Sequence, residues 1–396
     1  MSVDVALGFG DNVDYEIVWD SRVIEDLIVR YDIRSDELST DRPVLTERDL
    51  AISILSFAKA GSGGERVVSS TAVLEEFSRR FRKEITLGGT APRAALAMNA
   101  LGVPSALHLV TVNDHVRRLL PEGVRYVSSN ASDTLYPHVI VQFAKGTTVR
   151  AGDVDIRARR GNRIIYHADE DNTAMRLNES FAELIGEARA LLISGFNAMR
   201  SPQLLAARLA SLKRIAAALP EEALLFYEDA GYAEPALRTM MLDFLAARRH
   251  IVSMNEDELY EYVGMEVDLL DPAAVARALA SLAARLPTST IVVHTERWAL
   301  AHGQEAGRFA GALEGGTTMA TARFRHGDAL DANHYVAVEA LPRDAEGAAF
   351  AHALNRLVGD SVHCLPVPSV DQDTGTTIGL GDAFVGGFLA TVADTP

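Results

Sequence analysis

A single cysteine, Cys364, stands among 396 residues, so no internal disulfide can form. That excludes a disulfide-stapled secreted scaffold and suits a reducing, cytoplasmic setting. The thiol itself reads as a small buried hydrophobe rather than a nucleophile. Basic side chains are in deficit, 38 against 54 acidic ones, giving a formal charge of −16 at pH 7. Such a field disfavours nucleic acid and anionic membranes as partners. It does not exclude a phosphorylated ligand, because local backbone dipoles and a metal ion outweigh a distant global charge. No apolar run approaches the roughly 18 residues needed to span a bilayer. The start, Met1-Ser2-Val3-Asp4-Val5, lacks a basic stretch followed by an apolar one, so no signal peptide is expected. No 20–50-residue repeat and no low-complexity linker divides the chain.

What is present fits one large α/β core with a smaller piece. Residues 3–9 read as a short buried strand, followed by the loop Gly8-Phe9-Gly10-Asp11-Asn12-Val13-Asp14. Leu50, Ile54, Leu55 and Ala58 share a face, which predicts a helix around 46–59 ending at Gly61-Ser62-Gly63-Gly64 and delivering Glu65. Gly88-Gly89-Thr90-Ala91-Pro92 opens a helix of small residues (Ala94, Ala95, Ala97), whose size suggests close packing on a sheet. From about 122 to 168, short β-prone runs at 124–127, 139–143, 147–149 and 164–166 suggest an antiparallel sheet. After about 175, apolar strands at 190–193, 223–227, 250–253 and 290–293 alternate with Ala/Leu-rich helices. That pattern argues for a parallel sheet with helices on both faces.

The strongest chemical signal is Thr376-Thr377-Ile378-Gly379-Leu380-Gly381-Asp382-Ala383-Phe384, running into the small-residue stretch Val385-Gly386-Gly387-Phe388. Gly379 and Gly381 let the backbone approach a ligand, and successive amides at a helix start form an anion site. A carboxylate at its mouth, Asp382, would take a proton from an attacking hydroxyl. The plain alternative is a turn in which Asp382 only caps the helix.

This turn, together with Asn12-x-Asp14 and the Gly88-Gly89 helix start in the same order, resembles the ribokinase-like superfamily. More narrowly, the chain resembles the ADP-dependent glucokinases and phosphofructokinases over nearly its whole length. Further motifs carry the likeness: Pro137-His138-Val139-Ile140-Val141-Gln142-Phe143, Asn162-Arg163-Ile164-Ile165, Ser194-Gly195-Phe196-Asn197, Tyr227-Glu228, Met254-Asn255-Glu256-Asp257-Glu258-Leu259 and His294-Thr295. The resemblance implies a fold with a large, mainly parallel sheet flanked by helices and a smaller β-sheet lid. The expected large domain is 1–13, 88–121 and 169–396, with 14–87 and 122–168 inserted as the lid.

The resemblance also implies roles. Asp14, with Asn12, binds sugar hydroxyls, and Gly89 and Thr90 line the sugar pocket. Glu65 occupies the place of a glutamate that favours glucose, since a carboxylate accepts hydrogen bonds from a neutral sugar and repels a 6-phosphate. His138 matches a sugar-contacting histidine. Glu228 and Glu258, with Asp382, hold Mg²⁺, partly through water. Asn255, His294, Thr295, Val370 and Gly381 contact the nucleotide. Each has a plainer reading: Asp14 a turn residue, Glu65 a solvated loop carboxylate, His138 a structural strand histidine, Asn255 to Glu258 an acidic helix start. Thr90, where the family usually has glutamine, Arg93 soon after it, and Gln142, where it usually has glutamate, are departures that bear on the sugar. Arg93, Arg150, Arg163 and Arg200 are candidate phosphate contacts. The expectation is a Mg²⁺-dependent transfer from ADP to a sugar hydroxyl, glucose before fructose 6-phosphate. An ATP-dependent kinase and a non-catalytic binding homologue are the alternatives, and the oligomeric state stays open.

Overall fold

The computed structural model describes residues 3–232, 234–286, 288, 290–371 and 375–394. Its strands, in chain order, are β1 Val5–Leu7, β2 Asn12–Ile17, β3 Gly64–Val67, β4 Lys83–Gly88, β5 Ser105–Leu109, β6 Arg125–Ser128, β7 His138–Phe143 and β8 Thr148–Ala151. They continue as β9 Val154–Arg157, β10 Asn162–His167, β11 Ala190–Ile193, β12 Leu224–Glu228, β13 His250–Met254, β14 Thr290–His294, β15 Trp298–Gly303 and β16 Val362–Pro366.

Nine of them form one sheet in the order β16-β15-β14-β13-β12-β11-β1-β5-β6. From β14 to β6 every pairing is parallel, whereas β15 and β16 are added antiparallel. The continuous apolar runs of these strands follow from burial on both faces. Leu7, Leu107, Leu192 and Phe226 point into one core, while Ala6, Leu191, Leu225 and Tyr227 point into the other. β1 lies between β11 and β5, so chain order reverses direction beside it. Open α/β sheets bind ligands at the carboxyl ends of strands around such a point.

The second sheet, β3-β10-β7-β2-β4, is mixed rather than antiparallel: β2–β7 and β10–β3 run parallel, β2–β4 and β10–β7 antiparallel. Its residues alternate as a two-faced sheet requires. Val13, Tyr15, Val139, Val141, Phe143, Ile164 and Tyr166 are buried, and the Tyr166 hydroxyl donates to Ser53 of the helix Glu47–Ala60 at 2.9 Å. The opposite face carries Asp14, Glu16, Thr86, His138 and Arg163 by register.

Two further sequence expectations change here. Asn12 and Asp14 lie on β2 rather than in a loop, because β2 pairs on both edges, with β4 and β7. The run at 124–127 becomes β6, an edge strand of the large sheet paired parallel to β5. The small-residue helix Thr90–Ala100 packs on the large sheet at β5 and β1, as its composition suggested, and also against another helix, Leu380–Asp394. A Cβ placed on Gly386 would lie 2.7 Å from Ala97 Cβ and 2.8 Å from the Ala94 carbonyl. Among the described residues, no helix is long and apolar enough to cross a membrane.

Candidate active site

The catalytic-turn candidate is held from two sides by arginines. Arg323 donates from Nε to the Ile378 carbonyl at 2.7 Å and pairs with Asp328. Arg93, from the first turn of the helix Thr90–Ala100, packs against Gly379, where a Cβ would fall 2.7 Å from both Cδ and Nη1. Gly379 also has φ +69°, so glycine is required there by conformation and by space alike. The helix Leu380–Asp394 then begins, with Asp382 in its first turn.

Arg93 joins this turn to β2. Its Nη2 donates to Asp14 Oδ2 at 2.7 Å, and its Nε lies 3.7 Å from Asp382 Oδ2. Residues far apart in sequence thus share one guanidinium that is 3% exposed. Burial opposes the charge on Arg93, but Asp14, Asp382 and Asp328 outweigh it and hold the guanidinium pKa above its usual range. Asp14 also accepts from Asn12 Nδ2 at 2.5 Å. Gly88 and Gly89 close against the same group. A Cβ on Gly88 would lie 2.6 Å from Asp14 Oδ1, and one on Gly89 (φ +88°) 2.9 Å from the Gly10 carbonyl. Thr90 is the half-buried first residue of the helix.

Along the polar face, Asp14 stands opposite His138 in register. His138 Nε2 meets Asp169 Oδ2 at 3.0 Å, and its ring lies 5.1 Å from that of His167. Burial would lower the His138 pKa, yet the Asp169 hydrogen bond and charge raise it above the ordinary value. His167 in turn meets Glu65 Oε1 at 3.2 Å. Glu65 sits on strand β3, its side chain 57% exposed, not on a free loop. Arg163 of β10 donates to the Thr377 hydroxyl at 3.3 Å and so spans from the small sheet to the turn.

A second group gathers where β12, β13 and β14 end. Glu228 Oε1 meets His294 Nε2 at 2.9 Å, while Glu228 Oε2 is buried without a partner. Asn255 and Glu258 form a capping box: Asn255 Oδ1 accepts from the Asp257 and Glu258 amides, and Glu258 Oε2 accepts from the Asn255 amide at 3.0 Å. Burial, reinforced by Glu228, pushes the Glu258 carboxyl up to about 7 against that amide bond. His294 bridges this group to the turn, its ring stacked on Phe384 at 4.6 Å and its Cε1 3.3 Å from where a Gly381 Cβ would stand. The carboxylates at 14, 382, 228 and 258 therefore converge through Arg93 and His294.

Other expected residues are placed differently. His294 is buried, 9% exposed. The Thr295 hydroxyl donates to the Trp298 carbonyl at 2.9 Å and closes the β14–β15 turn. Val370 is half-buried in the segment before the turn. Arg150 pairs with Asp155 on the separate β8–β9 hairpin, and Arg200 is exposed. Cys364 is buried, and burial pushes its thiol pKa up. Among the described residues no group of three or more His, Cys, Asp or Glu is arranged to hold a metal by itself.

Sequence reasoning missed the centrality of Arg93 and the parts of Glu16, Thr86, Asp169, His167 and Arg323. A signal for Arg93 did exist. A cation in the first turn of a helix opposes the macrodipole, so it calls for a compensating carboxylate.

A P. furiosus protein, the ADP-dependent glucose/glucosamine kinase of Pyrococcus furiosus, is 25% identical over 441 residues, covering 98% of this chain and 95% of its own. A phosphofructokinase from Pyrococcus horikoshii, solved with AMP, superposes with a TM-score of 0.76 at 19% identity, covering 99% of this chain and 98% of its own. An ADP-dependent kinase in complex with fructose 6-phosphate and ADPβS superposes at 0.75 and 14% identity, covering 99% and 94%. These two structures share the fold. The conserved region of the ADP-specific phosphofructokinase/glucokinase family matches residues 3–389. With a match of that extent, the chain belongs to the ADP-specific phosphofructokinase/glucokinase family and is an ADP-dependent sugar kinase.

Proposed function

We propose that the acceptor is glucose or a similar neutral hexose, bound in the cleft between the two sheets. The observation that carries this is the Glu65 carboxylate set against His167 on the face that bears Asp14 and His138. With Asp14 and Asp169 nearby, that end of the cleft offers acceptors to sugar hydroxyls and repels a phosphate. The glucose/glucosamine kinase named above supports the same choice. Fructose 6-phosphate is the second reading, because Arg200 brings a cation near His167 and Arg163 brings one to the turn at Thr377.

In this reading Asp14, with Asn12, Gly89, Thr90 and His138, orients the sugar. Asp382 takes the hydroxyl proton, and the amides of Gly379 and Gly381 hold charge on the moving phosphoryl group. Asn255, His294, Thr295 and Val370 are assigned to the nucleotide side, His294 by holding Glu228 rather than by open contact. Glu228 and Glu258 fit a hard divalent cation: one buried oxygen of Glu228 is orphaned and Glu258 is crowded by its neighbour's charge. Mg²⁺ needs few protein oxygens because it keeps several waters, and it supplies charge neutralisation on the donor phosphates.

A donor-by-acceptor grid, reading sugar phosphate directly, tests this. ADP with glucose is expected to lead, and Glu65→Ala to lower kcat/KM for glucose at least ~10-fold while sparing ADP binding. Faster turnover of fructose 6-phosphate than of glucose overturns the acceptor assignment.

A further inference from the structure

The guanidinium of Arg93 has five N–H donors. Nη2 serves Asp14 and, at 3.4 Å, the Thr86 hydroxyl, and Nε lies toward Asp382. Nη1 is buried and has no partner. A buried unsatisfied donor calls for an explanation, and a cation completing its bonds on a substrate is one. The place of this donor is specific: it abuts the backbone of Gly379, in the turn that runs into Asp382. A structural ion pair would need only the Asp14 side of the guanidinium. The opposite edge, against Gly379, makes no hydrogen bond to the protein through Nη1.

We propose that Arg93 is a catalytic residue that donates through Nη1 to the transferring phosphoryl group while its other nitrogens hold Asp14 and Asp382 in register. The inference rests on the reading of Asp382 and its turn as the point of transfer. There the acceptor hydroxyl gives its proton to Asp382 and its oxygen bonds to the terminal phosphorus of ADP. The bond from that phosphorus to the bridging oxygen breaks, and the electron pair leaves on AMP. Charge spread over the phosphoryl oxygens is then met by turn amides from one side and by a preorganised guanidinium from the other. The same geometry makes the acceptor hydroxyl that Asp14 binds and the base that attacks it answer to one rigid group.

The test compares Arg93→Met and Arg93→Lys with the parent and with Asp382→Asn. It reads kcat, calorimetric affinities for sugar and for ADP, and affinity for AMP with aluminium fluoride and sugar as a transition-state mimic. Arg93→Met is expected to lower kcat about 10²–10³-fold and to weaken the mimic by a similar factor, with ground-state affinities changed far less. Arg93→Lys, a point charge without the fork, should fall between and carries the test if the Met variant does not fold. Weakened sugar binding with kcat and mimic affinity within about threefold of the parent would show that Arg93 only orders Asp14, and overturns the proposal. Near-normal kcat in Asp382→Asn instead removes the underlying reading of the turn.

Discussion

Asp382 is 24% exposed at the head of its helix, with one cation 3.7 Å away. Replacing it by asparagine keeps shape and capping capacity but removes the proposed proton acceptor. Asp382→Asn is expected to cost at least ~10²–10⁴-fold in kcat with sugar affinity largely kept, as measured by steady-state kinetics beside calorimetry. Asp11 gives a different prediction, one of stability. It lies fully buried between β1 and β2, accepting from the Val110 and Thr111 amides at 2.5 and 3.1 Å, with Oδ2 unpartnered. Burial is the main cause that raises its carboxyl to about 7, with Asp169 and Asp171 adding to it against the two amide bonds. A carboxyl whose folded pKa is raised binds its proton more tightly when folded. Its contribution to stability is full below about pH 4 and is lost as pH rises through about 7. Asp11→Asn should therefore be more stable than the parent at pH 8, by on the order of 2–4 kcal/mol, and should flatten the fall between pH 5 and pH 8. Denaturant titrations at the two pH values check it; parallel curves for both proteins would reject it.

At the scale of elements, the Asn255-Glu258 pair shows why a motif has two readings at once. The acidic helix start is real, since Glu258 caps the helix Glu256–Val263, and only one of its oxygens, Oε2, is engaged in that cap. Asn255→Ala should lose about 1 kcal/mol of stability and lower activity further than that loss explains, because Glu258 is no longer held. Unfolding curves and kinetics on one preparation separate the two effects. The helix Leu380–Asp394 also depends on close approach: a Cβ on Gly387 would stand 2.4 Å from the Gly315 carbonyl in the helix Ala310–His326. Backbone cannot yield there as a side-chain tip can, so Gly387→Val is expected to destabilise by about 1–3 kcal/mol or more, read as a lower thermal midpoint. Elements with strong period or punctuation were legible: the helix found at Glu47–Ala60, the strands β11 to β14, and the glycine-bounded helix start at Thr90. β2 was not, because Asn12 and Asp14 look like turn residues, and their strand exists only through pairing with β4 and β7.

At the scale of the molecule, the smaller sheet is tied to the turn before Asp382 by Arg163, which donates to Thr377, and through Asp14 by Arg93. Sugar and ADP together should draw the sheets closer and expel water from the transfer site. Small-angle scattering is expected to show a smaller radius of gyration with both ligands than without, and an unchanged profile at saturation would argue against closure.

Residue types and their order were enough to name the carboxylates, the glycine turn and the alternation of strand and helix, because glycine, carboxylate and apolar periodicity each carry local chemistry. Which groups meet was decided only in three dimensions. Arg93 is one arginine among many in the sequence, and its position between Asp14 and Asp382 depends on a helix start, a strand and a distant turn being packed together. The same holds for His294, whose tie to Glu228 and Phe384 joins three elements. Contacts between segments hundreds of residues apart arise from burial of shared surfaces, and no local pattern encodes them.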